Sequence, residues 1–158
     1  MTQRISYGVS PPDEIARRTG LEFLQAIVDG ALPQAAMAGT LAFRMTEVGE
    51  GYAVFEAEPG AELFNPLGTV HGGWVLALID SAAGCAGHTL LPAGVGYTTI
   101  ETKANFSRPV FPETGTVRAE GRVITRGRTI ITAEARVTDG QGRIVAHGTS
   151  TMMVLQPR

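Results

Sequence analysis

The chain has 158 residues, 44% of them hydrophobic, and a formal charge of -2, which is enough for one buried core and short for two. A pI near 5.9 supplies no basic field for nonspecific nucleic-acid binding. The single cysteine excludes an internal disulfide, and no apolar run reaches membrane-spanning length. With no signal-peptide pattern in the first twenty residues, a soluble cytoplasmic protein is expected, with a loose arm over residues 1–9 and one domain over residues 10–158.

Ser10-Pro11-Pro12-Asp13 reads as a helix start and Gly20 as its stop. Thr19 and Glu22 have capping-box spacing for a second helix, in which Leu24, Ile27 and Val28 share a face until Gly30. Residues 31–38, with Pro33 and four alanines, read as a connector. The period then turns strand-like: residues 41–48, a Gly49-Glu50-Gly51 turn and residues 52–58 form a hairpin. An apolar helix follows from His71-Gly72-Gly73 to about Leu90, where Pro92 and Gly94 break it. Everything beyond it reads as strand-like: alternation predicts strands through Val117–Val123 and Ile131–Val137, and a last one runs over 143–155, arranged as an antiparallel meander. A helix apolar on nearly every side must be surrounded, and one sheet does this only by curling around it. The expected class is therefore α+β: a curved sheet of about six antiparallel strands wrapped around a central helix, with short helices before it.

Most of the unusual polar chemistry lies between Asn65 and Asp80. A loop of turn formers, Asn65, Pro66 and Gly68, leads into the helix, whose first N–H groups lack intrahelical partners and sit at the positive end of its dipole. Asp80 places a carboxylate among Trp74, Val75, Leu78, Ile79, Ala82 and Ala83, which costs several kcal/mol unless the acid is paired or partly wet. Each residue alone has an ordinary explanation: a structural buried acid for Asp80, a turn residue for Asn65, close packing for Gly72 and Gly73. Cys85 and His88 lie three apart on the helix, but a small thiol in a core helix is common. Three histidines and one cysteine, widely spaced, show no metal-ligand pattern.

Asn65-Pro66-Leu67-Gly68-Thr69-Val70-His71-Gly72-Gly73 leading into a helix with Asp80 resembles the hotdog-fold acyl-CoA thioesterases of the PaaI-like group. The following Tyr97 to Pro109 and the hairpin from Gly127 to Thr149 are similar as well, so the resemblance spans about Thr19 to Val154. It implies cleavage of a thioester between an acyl group and coenzyme A in a dimer of dimers, with no cofactor beyond the coenzyme A of the substrate. Asp80 would act as general base or as nucleophile, and the Gly72 N–H would polarise the thioester carbonyl. Asn65 resembles the residue that contacts the carbonyl or positions water, and His71 one that holds the loop and the thioester. Thr99 resembles the hydroxyl that orients the attacking water. Thr98 points to the opposite face of the strand, so only one of the two can serve.

Asp80 follows Gly72 by eight residues, about 12 Å along one helix, so the two cannot share a carbonyl within one chain. A two-fold dimer with antiparallel helices brings Gly72 of one copy to Asp80 of the other. For the substrate, Gly73 is an expected contact, Leu63, Phe64 and Trp74 are expected around the acyl group, with Trp74 either narrowing that pocket or filling the dimer interface, and Arg108, Arg126 and Arg128 are candidates for the phosphates. These aromatics suit an aromatic acyl group of phenylacetyl or benzoyl type, or a medium-length chain. Two alternatives are a non-catalytic acyl-CoA-binding hotdog protein and a hotdog enzyme of the enoyl-CoA hydratase type. The second normally carries a histidine and aspartate pair where this chain has Gly-Thr-Val-His-Gly-Gly.

Overall fold

The computed structural model describes residues 5–156. Strand β1 (Tyr7–Gly8) pairs in parallel with β2 (Gln34–Ala35). The arm expected to be loose is thus tied down at Tyr7 and Gly8, while its residues 1–4 lie outside the described residues. Helix α1 (Pro12–Arg17) has Pro11 rather than Ser10 as its N-cap and ends before Gly20 is reached. Gly20 instead opens α2 (Gly20–Val28), because a Cβ there would collide with the His88 carbonyl oxygen. The capping box forms as its spacing predicts: Thr19 N–H donates to Glu22 Oε2 at 2.9 Å and Glu22 N–H to Thr19 Oγ1 at 3.3 Å.

The presumed connector over 31–38 also departs from expectation, since it holds β2 and the start of α3 (Ala36–Thr40). Its anchor is Gln34. The carboxamide donates to Met45 O at 3.0 Å and accepts from Met45 N–H at 2.9 Å, completing the backbone pairing that a neighbouring strand would otherwise supply. A polar side chain replacing a strand partner leaves no period in the sequence.

The long elements follow the hydrophobic pattern: β3 (Phe43–Gly49), β4 (Tyr52–Ala57), α4 (Gly72–His88), β5 (Gly96–Phe106), β6 (Val117–Arg126), β7 (Ile130–Thr138) and β8 (Ile144–Leu155). The six form one antiparallel sheet in the order β3-β4-β6-β7-β8-β5. Only β6, β7 and β8 are a simple meander. The chain crosses from β4 to the far edge to make β5, then returns to lay β6 against β4, because α4 must pass across the sheet between them.

Helix α4 lies on the inner face of this sheet, with Leu78, Ile79, Ala82, Ala83 and Ala86 fully buried. The facing positions are small: Ala53, Ala119, Ala133 and Ala135 are buried to 1% exposure or less. Short side chains on both surfaces bring helix and sheet close, leaving Leu78, Ile79, Ile131 and Met152 to fill the remaining space. Burial of each such large side chain contributes about 1.5–3 kcal/mol.

The closest approach is at Gly121 on β6, where a Cβ would meet the Ala82 carbonyl oxygen of α4. Neither backbone segment can yield without disturbing the helix. Gly121→Ala is expected to destabilise the fold by about 1–3 kcal/mol, read from the midpoint of urea unfolding, and an unchanged midpoint would refute this account of the helix–sheet contact.

Candidate active site at helix α4

The loop before α4 is organised by Asn65. Its Oδ1 accepts from Leu67 N–H at 2.9 Å and Thr69 N–H at 3.3 Å, and its Nδ2 donates to Thr69 Oγ1 at 2.8 Å. Gly68 takes the positive φ of 81° that the turn requires. The carboxamide oxygen is thereby committed to its own loop, and one Nδ2 proton is left for anything outside it.

His71 is the N-cap of α4, and its Nδ1 accepts from Gly73 N–H at 2.9 Å. A neutral imidazole with Nδ1 as acceptor carries its proton on Nε2, so His71 faces outward as a donor. Trp74 N–H bonds to His71 O at 3.0 Å. Gly72 N–H has no hydrogen-bond partner among the described residues. Phe106 of β5 lies over Gly72, its ring 3.4–3.8 Å from the point where a Cβ would stand.

Asp80 sits midway along α4, half-exposed in the single chain. Thr99 Oγ1 and Thr102 Oγ1 both donate to its Oδ1, each at 3.0 Å. Two residues three apart cannot share a face of a regular strand. Here the register slips between Thr99, which pairs with Met152, and Glu101, which pairs with Thr151, so Ile100 is an inserted bulge residue. The bulge turns Thr99 and Thr102 to the same side, while Thr98 stays exposed. Thr102 Oγ1 lies 3.1 Å from Ser150 Oγ of β8, which is wholly buried and 3.2 Å from Glu101 O. Sequence reading missed Thr102, Ser150 and Phe106. A Thr-x-x-Thr spacing in a strand is meaningless without the bulge, and only cross-strand pairing reveals Ser150.

Behind Asp80, burial and the nearby carboxylate push the Cys85 thiol up to about 12. Burial likewise holds the Tyr97 phenol well above its ordinary range, with Cys85 and Asp80 adding to the effect, and keeps the His88 imidazole toward its neutral form. His88 stacks between Phe23 and Tyr97, with ring centroids at 5.7 and 5.4 Å. Of these groups, Cys85 and Tyr97 lie near enough to feel the Asp80 charge. Among the described residues, no cluster of three His, Cys, Asp or Glu side chains could hold a metal, and no helix is long and apolar enough to cross a membrane.

A six-stranded antiparallel sheet wrapped on one apolar helix, with the Asn65 loop, a His71 cap and Asp80 along that helix, is the expected hotdog arrangement of the PaaI-like group. Residues 67–146, half of the chain, match the thioesterase superfamily. The chain belongs to the thioesterase superfamily. A candidate esterase from Saccharolobus solfataricus is 30% identical over 109 residues, 69% of this chain and 76% of that one. A candidate thioesterase from Ralstonia eutropha, named as related to phenylacetic acid degradation, superposes with a TM-score of 0.74 at 27% identity, over 82% of this chain and 97% of that one. A Streptococcus mutans protein bound to acetyl-CoA superposes with a TM-score of 0.66 at 26% identity, over 73% and 90%.

Membership gives the reaction class, thioester hydrolysis, and the remaining expected residues can be placed on this thioesterase. Gly73, at the exposed start of α4, spends its N–H on His71. Leu63 and Phe64 are half-buried beside the core at the start of the Asn65 loop. Trp74 is 4% exposed in the single chain, and its Nε1–H donates to Leu41 O at 2.7 Å between α4 and the segment before β3. Its indole needs a hydrogen-bond partner when buried, and Leu41 O supplies one.

The three arginines are exposed but not together. Arg108 donates to Ile144 O at 2.7 Å beyond the end of β5. Arg126 and Arg128 flank a cavity floored by Leu91, Pro92, Val95 and Val154 at the other end of that strand, roughly 30 Å away at the rise of a strand. Another cavity, of about 210 Å³, lies between α2 and β3 and does not include Asp80.

With its proton held so firmly, Cys85 is no nucleophile near neutrality. The Cys85→Ala variant is expected to keep turnover within about twofold, and the native thiol to react with iodoacetamide at about pH 8 far more slowly than the unfolded one. Loss of turnover in that variant, or rapid labelling of the native chain, would contradict this assignment.

Proposed function

We propose that this thioesterase hydrolyses acyl-CoA thioesters at a site shared by two copies of the chain. The observation that carries the reading is the pair of features on one helix: a hydroxyl-held carboxylate at Asp80 and an unpartnered N–H at Gly72. Eight residues separate them, about 12 Å of helix, so one carbonyl meets both only if they come from different subunits. The unpaired outer edge of β5, eleven residues long with Ile100 54% and Phe106 56% exposed, favours a second copy against that edge. A homotetramer built as a dimer of such dimers fits the resemblance to the PaaI-like group.

In this reading the partner subunit's Gly72 N–H binds the carbonyl oxygen as negative charge develops on it. Asp80 removes a proton from a water oriented by Thr99, and the water oxygen bonds to the carbonyl carbon. Collapse of the tetrahedral species breaks the carbon–sulfur bond, and the thiolate of coenzyme A takes up the proton. Direct attack by the carboxylate would give an anhydride that water then opens, with the same products. His71 Nε2–H and the free Asn65 Nδ2 proton remain as donors toward the thioester group.

The acyl group is read as aromatic, of phenylacetyl or benzoyl type, or a medium-length chain. Support comes from Phe64 and Phe106 near the start of α4 and from the Ralstonia relative. The Streptococcus relative with acetyl-CoA supports coenzyme A as the carrier. Arg108 and the Arg126–Arg128 pair lie too far apart in one chain to hold the same phosphates, so each is a separate candidate contact for coenzyme A, from either subunit.

Thiol release from a panel of aromatic and straight-chain acyl-CoAs tests this reading directly. Asp80→Asn is expected to keep the fold and the assembly while turnover falls by about 10²–10⁴-fold. Turnover like the wild type in that variant would rule out Asp80 as base or nucleophile, and binding of acyl-CoA with no turnover in the wild type would make the protein a carrier instead.

A further inference from the structure

The Asp80 carboxylate is held asymmetrically. Both hydroxyls that reach it donate to Oδ1, and Oδ2 receives no hydrogen bond among the described residues. From this clamp we infer that Thr102, itself held by Ser150, is a positioning residue that presents Oδ2 as the reacting oxygen. The inference rests on the proposed role of Asp80.

The direction of the hydrogen bonds follows from proton counting. An ionised carboxylate only accepts, so the single proton of Thr102 goes to Oδ1. In its contact with Thr102, Ser150 is therefore the donor, with Glu101 O as the other acceptor for the same proton. Each hydroxyl has a defined task, and none is left to rotate freely. Ser150 is wholly buried on β8, a central strand, which makes it a rigid support for Thr102 on the sheet edge.

The two threonines differ in kind. Thr99 touches Asp80 and is also the candidate to orient water, so its loss would remove two functions together. Thr102 is backed by a buried serine, and its hydroxyl is committed on both sides. Its effect on chemistry acts through the carboxylate: fixing Oδ1 removes the rotation that would let the two oxygens exchange places. The Ile100 bulge makes this possible, because a regular strand would turn Thr102 away from the face that Thr99 occupies.

The test compares Thr102→Val, Thr102→Ser, Ser150→Ala and Asp80→Asn with the wild type on the best acyl-CoA of the panel. Valine keeps the shape and strand preference of threonine but removes the hydroxyl. The expected result is a kcat lower by about tenfold to a hundredfold in Thr102→Val, with KM within about twofold and the melting temperature nearly unchanged. Thr102→Ser should restore kcat, and Ser150→Ala should show the same split to a smaller degree.

Wild-type kcat in Thr102→Val alongside a dead Asp80→Asn would overturn the clamp while leaving the role of Asp80 intact. An active Asp80→Asn would instead remove the reading on which the clamp depends. Should Thr102→Val fail to fold, Thr102→Ala against Thr102→Ser decides the same point: equal kcat in the two overturns the proposal, and activity only in the serine variant supports it.

Discussion

A helix that is apolar on nearly every side has to be enclosed, and the architecture of this protein follows from that constraint on α4. Small residues line both contact surfaces, with alanines on β4, β6 and β7 facing alanines on the helix, and Gly121 lets two backbones meet. The N-terminal helices close what the sheet leaves open, and Gly20 sits against the last turn of α4 for the same steric reason. A carboxylate in such a helix is tolerated because β5 bends to meet it. Without the bulge at Ile100, one of the two hydroxyls that satisfy Asp80 would face the other way.

The same constraint places the chemistry. The start of α4 must emerge from the sheet to join its loop, which leaves Gly72 N–H at an accessible surface, while Asp80 is fixed deeper along the helix. Their separation is set by the rise of the helix and cannot relax. In the proposed reading a site shared between subunits answers this separation, and the β5 edge, unpaired among the described residues, is where a second copy would dock.

Much of this was legible in the chain because it is written in periods and local codes. The alternation of Val117 to Val123 and Ile131 to Val137 marked buried strand faces, and the Thr19–Glu22 pair marked a helix start that forms as expected. The departures share a different cause: they depend on tertiary contacts. Gly20 reads as a stop until His88 is seen beside it, and residues 31–38 read as a connector until Gln34 is seen bonded to Met45. The bond from the Trp74 indole to Leu41 O is likewise a tertiary contact that no local pattern announces. Within the site, Asp80 and Gly72 could be singled out from composition and spacing, but Thr102 and Ser150 could not, since an inserted residue and a cross-strand neighbour leave no local signature.

The central claim, that Asp80 of one copy works with Gly72 of the other, is tested most directly by mixing two inactive variants. One is Asp80→Asn; the other is Gly72→Pro, which deletes the N–H at the first helical position, where proline fits, after a His71 with an extended ψ of 133°. Each variant alone should be inactive. After unfolding and refolding together, hybrid dimers hold one site with both wild-type groups, and random pairing should restore about a quarter of wild-type activity. A mixture in which hybrids form but activity stays at the level of the parents would contradict the shared site and place both groups, if they act at all, within a single chain.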